Sequence, residues 1–496
     1  MLAEAPSDLN KDVSMNSACR DAVLYFINPG FWPSVSRRTL EVVAPATLER
    51  VGVIPLCEKA DVDAAIAAAQ AACSGWRKTT VRARGQWLYK VAETIGQLTE
   101  HSLQVARLMS AETGRPFSDA MEELAACARV FRHYAQRVTE EARDSVCGSG
   151  RHYEPYGVSV HILGGSQPLL LMCRTVAAAL AAGNSCIVKP AETATLCTLK
   201  FMEYFSALPS GLVACLPGDG LTAQWLVQSS ATHVVAFTGG AAAGSAVAVT
   251  CAELMKPCLI ETGGVAATIV SRHASLDVAA AYAVAAAFRL SGQIGISANR
   301  FYVVDEIHDQ FVERFAAGVR ALRVGYSRGY PEIGPLLSEE ARNQVMRLVE
   351  DALIKGATRV CGGRIPVDHP VGWFYEPTLL TGLSTDMDIH HEQCFGPVAA
   401  VRRVRHLEEA LDLANGSPCM RAAVLFSNDV DEAVAAVDRL EAGLIGVNKP
   451  LMDREVRALD GWTIAGGSGD LSQCGMNAFR RSKTVLISHP ALERQG

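Results

Sequence analysis

No two cysteines of this chain are spaced Cys-x-x-Cys, although it contains 15 of them. That absence argues against the common zinc and dithiol-redox arrangements. There is no run of lysine and arginine of useful length, and the formal net charge is −6. Nucleic acid and anionic membrane surfaces are therefore poor partners. No apolar stretch is long enough to span a bilayer: the longest, 176–182 and 278–288, are short and rich in alanine. No segment recurs at a fixed period. The first twelve residues carry Glu4, Asp8 and Asp12 and no apolar core. We expect no signal peptide and a cytoplasmic protein. Without a secretory signal the cysteines read as reduced thiols, and Cys57, Cys173, Cys186, Cys215 and Cys258 stand in apolar runs that suggest a core. His390 and His391 beside Glu392 form no metal cluster by spacing, because adjacent side chains point apart. A solvated loop is expected there.

What is present is a chain of 496 residues, 49% hydrophobic and 20% charged, ordinary for a globular protein of two or three domains. Strand-like pieces are expected at 40–43 and 50–54. Helical spacing follows at 61–70, 80–98, 103–112 and 118–136. Met109 to Pro116 reads Met-Ser-Ala-Glu-Thr-Gly-Arg-Pro, a glycine-ended helix followed by a proline-started one. From Gly157 short β-rich runs alternate with helices. Strands are expected at 157–163, 185–188, 212–216, 233–238 and 258–261, with helices at 169–182, 193–208, 221–229 and 242–251. Such alternation predicts a doubly wound parallel sheet with a ligand at the strand C-termini. A second α/β section is expected from Phe301, with strands at 301–304, 359–361, 377–380, 399–404, 422–426 and 443–447. Its helices are expected at 309–322, 338–354, 407–415 and 430–440. A glycine-rich loop, 465–470, and a short final strand, 483–488, close the chain.

Two segments suit a dinucleotide. In Val188-Lys189-Pro190-Ala191-Glu192 the cation donates and the carboxylate accepts, a pair able to hold ribose hydroxyls at a strand end. Phe237-Thr238-Gly239-Gly240 joins a strand to a helix, and its glycines let a pyrophosphate approach the helix-start N–H groups. Lys-Pro-Ala-Glu alone is a common strand-exit turn, and a lone strand-Gly-Gly-helix junction is a weak signal that gains weight from its position relative to the first segment.

Phe288-Arg289-Leu290-Ser291-Gly292-Gln293-Ile294-Gly295-Ile296-Ser297-Ala298-Asn299-Arg300 resembles the active-site loop of the aldehyde dehydrogenase superfamily, in particular the succinic-semialdehyde dehydrogenase branch. The resemblance runs from about Ala46 to Ile487. It implies an α/β aldehyde dehydrogenase-like fold with two doubly wound domains and a small β extension for oligomerisation. The implied parts are a dinucleotide-binding domain (1–140 and 154–262), a catalytic-type domain (263–447) and oligomerisation strands (141–153 and 465–490). It further implies a homodimer or homotetramer. The segment Glu112-Thr113-Gly114-Arg115-Pro116 is similar to a family segment as well, and reads as a helix joint.

The resemblance assigns roles residue by residue. Lys189 and Glu192 bind the adenosine ribose, and Glu192 would repel a 2′-phosphate, so NAD is favoured over NADP. Phe237, Thr238, Gly239 and Gly240 match the phosphate turn, with Gly240 in place of a serine. Gln393 and Phe395, in Glu392-Gln393-Cys394-Phe395-Gly396-Pro397-Val398, match the segment holding the nicotinamide ribose, with Gln393 in place of a glutamate. Glu261, in Ile260-Glu261-Thr262-Gly263-Gly264, matches the general base. Ser166, in Gly164-Gly165-Ser166-Gln167-Pro168, takes the place of the oxyanion-binding asparagine. Arg174 and Arg289 match a clamp for a substrate carboxylate, and each is singly also an ordinary ion-pairing residue. Gly295 takes the place of the nucleophilic cysteine. Ser297 stands where that branch often has a second cysteine, and no histidine lies near it in sequence to activate it. Two functions are open: oxidation of a carboxylate-bearing aldehyde without a thiol, or an inactive ligand-binding or scaffolding relative.

Overall fold

The computed structural model describes residues 24–144, 151–326, 331–416, 420–449 and 473–484. The chain opens with a hairpin, β1 (Leu24–Ile27) and β2 (Gly30–Pro33), then a second, β3 (Thr39–Val43) and β4 (Arg50–Pro55). Four helices follow: Lys59–Trp76, Val81–Gly96, Glu100–Thr113 and Phe117–Asp144. Then come β5 (Arg151–Pro155), β6 (Val158–Ile162), β7 (Ser185–Lys189), β8 (Val213–Cys215), β9 (Val234–Gly239) and β10 (Cys258–Thr262). The first sheet runs β10-β9-β6-β7-β8-β1-β2, parallel except for the β1–β2 hairpin at its edge. Strands β6, β7 and β8 are buried along their whole length, as strands covered by helices on both faces must be.

The order places a crevice. From β6 the chain crosses through the helix Pro168–Ala182 to β7 on one side. From β8 it returns through the helix Gly220–Gln228 to β9 on the other side. The connections leaving β6 and β9 therefore diverge, and a ligand crevice opens at their C-terminal ends. Beyond β10, only Gly263 and Gly264 separate the first sheet from β11 (Val265–Val270), a strand of the second.

The second sheet adds β12 (Arg300–Val304), β13 (Thr358–Cys361), β14 (Thr378–Thr381), β15 (Val398–Val404), β16 (Met420–Phe426) and β17 (Leu444–Val447). Its order is β13-β14-β15-β12-β11-β16-β17, parallel except for β13. Its core is built from Phe288, Phe301, Phe311 and Phe315 on one face and Tyr302, Leu411 and Leu425 on the other. A separate ribbon pairs β18 (Arg480–Thr484) with β5.

Several expectations change. The helix expected at 193–208 is broken into 3-10, α and 3-10 pieces, Glu192–Ala194, Thr195–Phe201 and Met202–Phe205. Strands β1, β2 and β11 were not anticipated. Residues 141–144, expected in a strand, continue the helix Phe117–Asp144. Glu141, Arg143 and Asp144 offer no β-branched residue to favour a strand. His390 is buried in a short helix, Asp388–His391, not solvated in a loop; burial, with Arg300 nearby, lowers its pKa to about 4. The loop expected at 465–470 and the residues 485–488 lie outside the described residues. No helix among the described residues is long and apolar enough to cross a membrane.

Candidate active site

A cavity of about 370 Å³ lies at the crevice between the sheets. It is walled by 164–167 after β6, Leu171 and Arg174 on the following helix, 238–240 at the end of β9 and 261–263 at the end of β10. The second sheet's side supplies 294–296, Leu337, Gln393, Phe395 and Arg421.

The 164–167 wall is held from behind. Glu123 accepts from the Leu169 and Leu170 N–H groups (2.8 and 2.9 Å), satisfying the start of the helix Pro168–Ala182. Arg115 forms a buried ion pair with Glu123 and donates to the Ser166 carbonyl. Glu112 accepts from Leu196 N (2.9 Å) and Cys197 N (2.5 Å), fixing the next helix start. The segment Glu112–Pro116 is a helix joint, with Gly114 left-handed at φ 73°, and it also braces this wall. Gly165 lets the wall approach closely, since a Cβ there would collide with Thr193 Oγ1.

Lys189 Nζ donates to Glu192 Oε1 at 2.7 Å, with Lys189 buried and the Glu192 side chain 39% exposed. The pair sits at the end of β7, one strand from the crevice, and neither residue lines the cavity. Thr238, Gly239 and Gly240 do line it. Gly240 precedes the helix Ala241–Glu253, and a Cβ on it would meet nothing within 4 Å, so that helix start faces open space. Phe237 lies beneath them in the core, its ring against Gly239 and Gly244. It supports the turn and does not line the cavity.

The 289–300 loop is shaped by backbone that sequence spacing does not show. Leu290 and Ser291 are both left-handed, at φ 50° and 56°, ahead of Gly292 at 70°. Left-handed backbone is costly for residues with a side chain and persists where neighbours hold it. Ser291 Oγ donates to the Gly334 carbonyl (2.9 Å), and Gln293 Oε1 accepts from Leu337 N (2.9 Å). Asn299 Nδ2 donates to the Cys394 carbonyl (3.1 Å), and Arg300 Nη2 to that of Glu392 (3.0 Å). The loop and the Gln393–Phe395 segment are thereby locked together. Gln393 also lies directly over Gly263, where a Cβ would displace its amide.

This geometry sorts the expected residues. Glu261, Gly295, Ser166, Arg174, Thr238, Gly239, Gly240, Gln393 and Phe395 share the cavity. Ser297 does not: it is buried, and its Oγ donates to the carbonyls of Ala286 and Ala287, both at 3.3 Å. It fastens the loop to the preceding helix. Arg289 does not line the cavity either. Its Nη2 lies 3.5 Å from Glu122 Oε2.

The cavity holds a charge that the motifs did not indicate. Arg421 Nη1 donates to the Thr262 carbonyl at 2.6 Å, and Nη2 lies 3.5 Å from Glu261 Oε1. A Cβ on Gly295 would find Arg421 Nη1 as its nearest neighbour, at 3.9 Å. One signal was present in the sequence: Arg421 is the only charge in Met-Arg-Ala-Ala-Val-Leu-Phe, a strand buried throughout. A charge in such a strand is expensive unless something uses it. Burial pushes the Arg174 pKa down, with Arg421 adding to the effect and Glu261 opposing it.

Among the described residues no cysteine lines this cavity. Cys394 stands between two lining residues but is itself buried, and burial raises its thiol pKa to about 12. Cys57, Cys173, Cys186 and Cys215 are buried free thiols as expected; Cys258 is half-buried. No cluster of metal-binding side chains occurs among the described residues.

Comparison with known proteins bears on the same residues. The model of the aldehyde dehydrogenase family matches 31–485. A succinate-semialdehyde dehydrogenase [NADP(+)] of Mycobacterium avium is 32% identical over 460 residues, 90% of this chain and 96% of that protein. An aldehyde dehydrogenase of Paenarthrobacter nicotinovorans is 34% identical over 440 residues, 86% of this chain and 95% of that protein. Among solved structures, the NAD+ complex of an aldehyde dehydrogenase from Bacillus cereus superposes with a TM-score of 0.89 at 26% identity, covering 94% of this chain and 96% of that one. An NADP-dependent enzyme of E. coli gives a TM-score of 0.88 at 28% identity, covering 96% and 100%. Two mainly parallel sheets meeting at a glycine joint, a crevice at the strand ends and a family match over most of the chain lead to one assignment: this chain belongs to the aldehyde dehydrogenase family.

Proposed function

We propose that this protein is a nicotinamide-dinucleotide-dependent oxidoreductase that acts on a carboxylate-bearing aldehyde without a thiol nucleophile. The observation that supports this reading is the cavity wall at residue 295, where a glycine lies beside Arg421 and no described lining residue is a cysteine. By the family likeness, residue 295 is the position of the attacking thiol. A hydrated aldehyde needs no such thiol, because its carbon already carries the second oxygen. Glu261 is placed to take a proton from one hydroxyl of the hydrate. The electron pair left on that oxygen forms the carbonyl bond as hydride leaves the carbon, and a carboxylic acid results. A bound nicotinamide dinucleotide supplies the hydride acceptor.

The residues present fit that group. Lys189 and Glu192 would hold the adenosine ribose, and the open helix start at Gly240 suits a pyrophosphate. Gln393 and Phe395 would flank the nicotinamide end. Glu192 favours NAD, whereas the names of the mycobacterial relatives specify NADP(+). Arg174 would take the substrate carboxylate, and Ser166 would be the weaker oxyanion donor. In this reading 1–140 with 154–262 bind the dinucleotide, 263–447 form the catalytic-type unit, and 141–153 with 465–490 serve a cytoplasmic homodimer or homotetramer.

One observation favours a second reading, an inactive relative that holds a ligand or a partner subunit. Arg421 lies 3.5 Å from Glu261, and a guanidinium beside that carboxylate stands where a substrate hydroxyl would have to approach it. NADH formation with a panel of semialdehydes separates the two. Iodoacetamide is expected first at Cys258, the described thiol whose pKa is lowered, by the hydrogen bond with Cys251. Turnover that survives this treatment and vanishes in Glu261→Gln supports the first reading. NAD binding by calorimetry with no turnover supports the second, and absence of both refutes each.

A further inference from the structure

The helix Ala241–Glu253 lies directly on β10, for a Cβ on Gly244 would press on Ile260 and Thr262. Cys251 follows Gly244 by about two helical turns, on the same face, and is buried. The helix then ends in a Schellman turn: Met255 is left-handed at φ 52°, and Lys256 N donates to the Cys251 carbonyl at 2.8 Å. That turn reverses the chain, and Cys258 opens β10 beside Cys251. The two thiols are hydrogen-bonded to each other. The bond lowers the Cys258 pKa to about 7, against its burial, and raises that of Cys251, so Cys258 accepts and Cys251 donates. Two packed thiols are inert when both are sealed in a core. Cys127 and Cys173 are such a pair, hydrogen-bonded and wholly buried. Cys258 is only half-buried, and the turn beside it is open to solvent, with Met255 89% exposed.

We propose that Cys251 and Cys258 form a peroxide-reactive dithiol, a site of reversible disulfide formation at the far end of the helix whose start walls the cavity. The spacing of the two cysteines in sequence gives no sign of it; the helix-to-strand reversal brings them together. The oxidant is a hydroperoxide. The Cys258 thiolate attacks its O–O bond: an S–O bond forms, the O–O bond breaks, and the leaving oxygen departs as an alcohol, or as water from hydrogen peroxide, once protonated. Cys258 is then a sulfenic acid, oxidised by two electrons. Cys251 gives up its proton and its sulfur attacks that of Cys258, so the S–S bond forms while the S–O bond breaks, and hydroxide leaves as water with the proton. The disulfide staples the helix that starts beyond Gly240 to the strand that carries Glu261. The proposal depends on neither dinucleotide binding nor turnover.

Hydrogen peroxide added to the full chain tests it. Cleavage after Glu253 separates the two cysteines unless a disulfide joins them. Mass spectrometry of treated wild type is expected to find the two peptides joined, and dithiothreitol is expected to part them. Cys251→Ser keeps a hydroxyl donor but has no sulfur to displace the hydroxide, so dimedone is expected to label a sulfenic acid at Cys258. Cys251→Ala removes the donor. Alkylation of Cys258 at neutral pH is then expected to slow about fivefold, the lost thiolate fraction being partly offset by the greater nucleophilicity of the thiolate that remains. Should either variant fail to fold, the wild-type peptide map decides alone. Both thiols still open to alkylation after peroxide, or Cys258 joined to a different cysteine, overturns the proposal. So does undiminished alkylation of Cys258 in a folded Cys251→Ala.

Discussion

A Cβ built on Gly295 meets no heavy atom nearer than Arg421 Nη1 at 3.9 Å, and the backbone there is not left-handed, so a cysteine fits without rearrangement. The guanidinium beside it would favour the thiolate, lowering the thiol pKa below its ordinary value. Gly295→Cys is therefore expected to react with iodoacetamide faster than a free cysteine at neutral pH. It is also expected to show thiol-dependent dehydrogenase or esterase activity at least about tenfold above the parent, for each tenfold is only about 1.4 kcal/mol of barrier. Activity before and after alkylation, with the label mapped to residue 295, is the measurement. A labelled but silent variant would show that carbonyl substrates do not reach this wall. In the proposed reading Ser166 would limit the gain, since a hydroxyl stands where the family likeness places an amide donor.

Among elements, the parallel strands were legible because buried β-rich runs alternate with helices, and most predicted pieces lie within a few residues of those seen. Three misses have physical reasons. The six residues of β11, Val-Ala-Ala-Thr-Ile-Val, are too short and alanine-rich for periodicity to separate strand from buried helix. Arg289 leaves its helix in extended backbone, at φ −57° and ψ 139°, ahead of two left-handed residues, and nothing in Arg-Leu-Ser announces those conformations. Arg421 belongs to no motif, and only its isolation in an apolar strand marked it. The β5–β18 ribbon leads to a prediction at this scale. A two-stranded ribbon is marginal in water, and Arg481, Ser482, Lys483 and Thr484 are exposed. Helix Val430–Arg439 exposes Val430, Val434 and Val437 on one stripe. A second copy would cover such surfaces. Light scattering is expected to give a mass at a multiple of the 52.9 kDa chain, and deletion of 480–496 to shift it to a smaller assembly. A monomeric full-length chain would remove the oligomer from the proposal.

For the whole molecule, two buried groups set opposing pH dependences. Burial raises the Glu112 carboxyl from 4.5 to about 7, against the hydrogen bonds from Cys197 and Leu196. Between those values the folded state keeps a proton that the unfolded chain has released, so this group's stability is present below pH 4.5 and is lost as pH rises through 7. Burial lowers His161 from 6.5 to about 3. Its ring is held neutral between Ser159 Oγ and Thr175 Oγ1, both at 2.9 Å. Below pH 6.5 the unfolded chain takes up a proton that the folded state refuses, so stability is lost as pH falls toward 3. From pH 4.5 to 6.5 the two slopes have equal size and opposite sign, and their sum is flat. Glu112→Gln removes one slope while keeping an amide oxygen to accept from the helix start. Denaturant unfolding of that variant is expected to show stability climbing across this window by up to about 1.4 kcal/mol per pH unit relative to wild type. Parallel profiles in the two proteins would mean that Glu112 is ionised in the folded state, despite its burial behind the site wall.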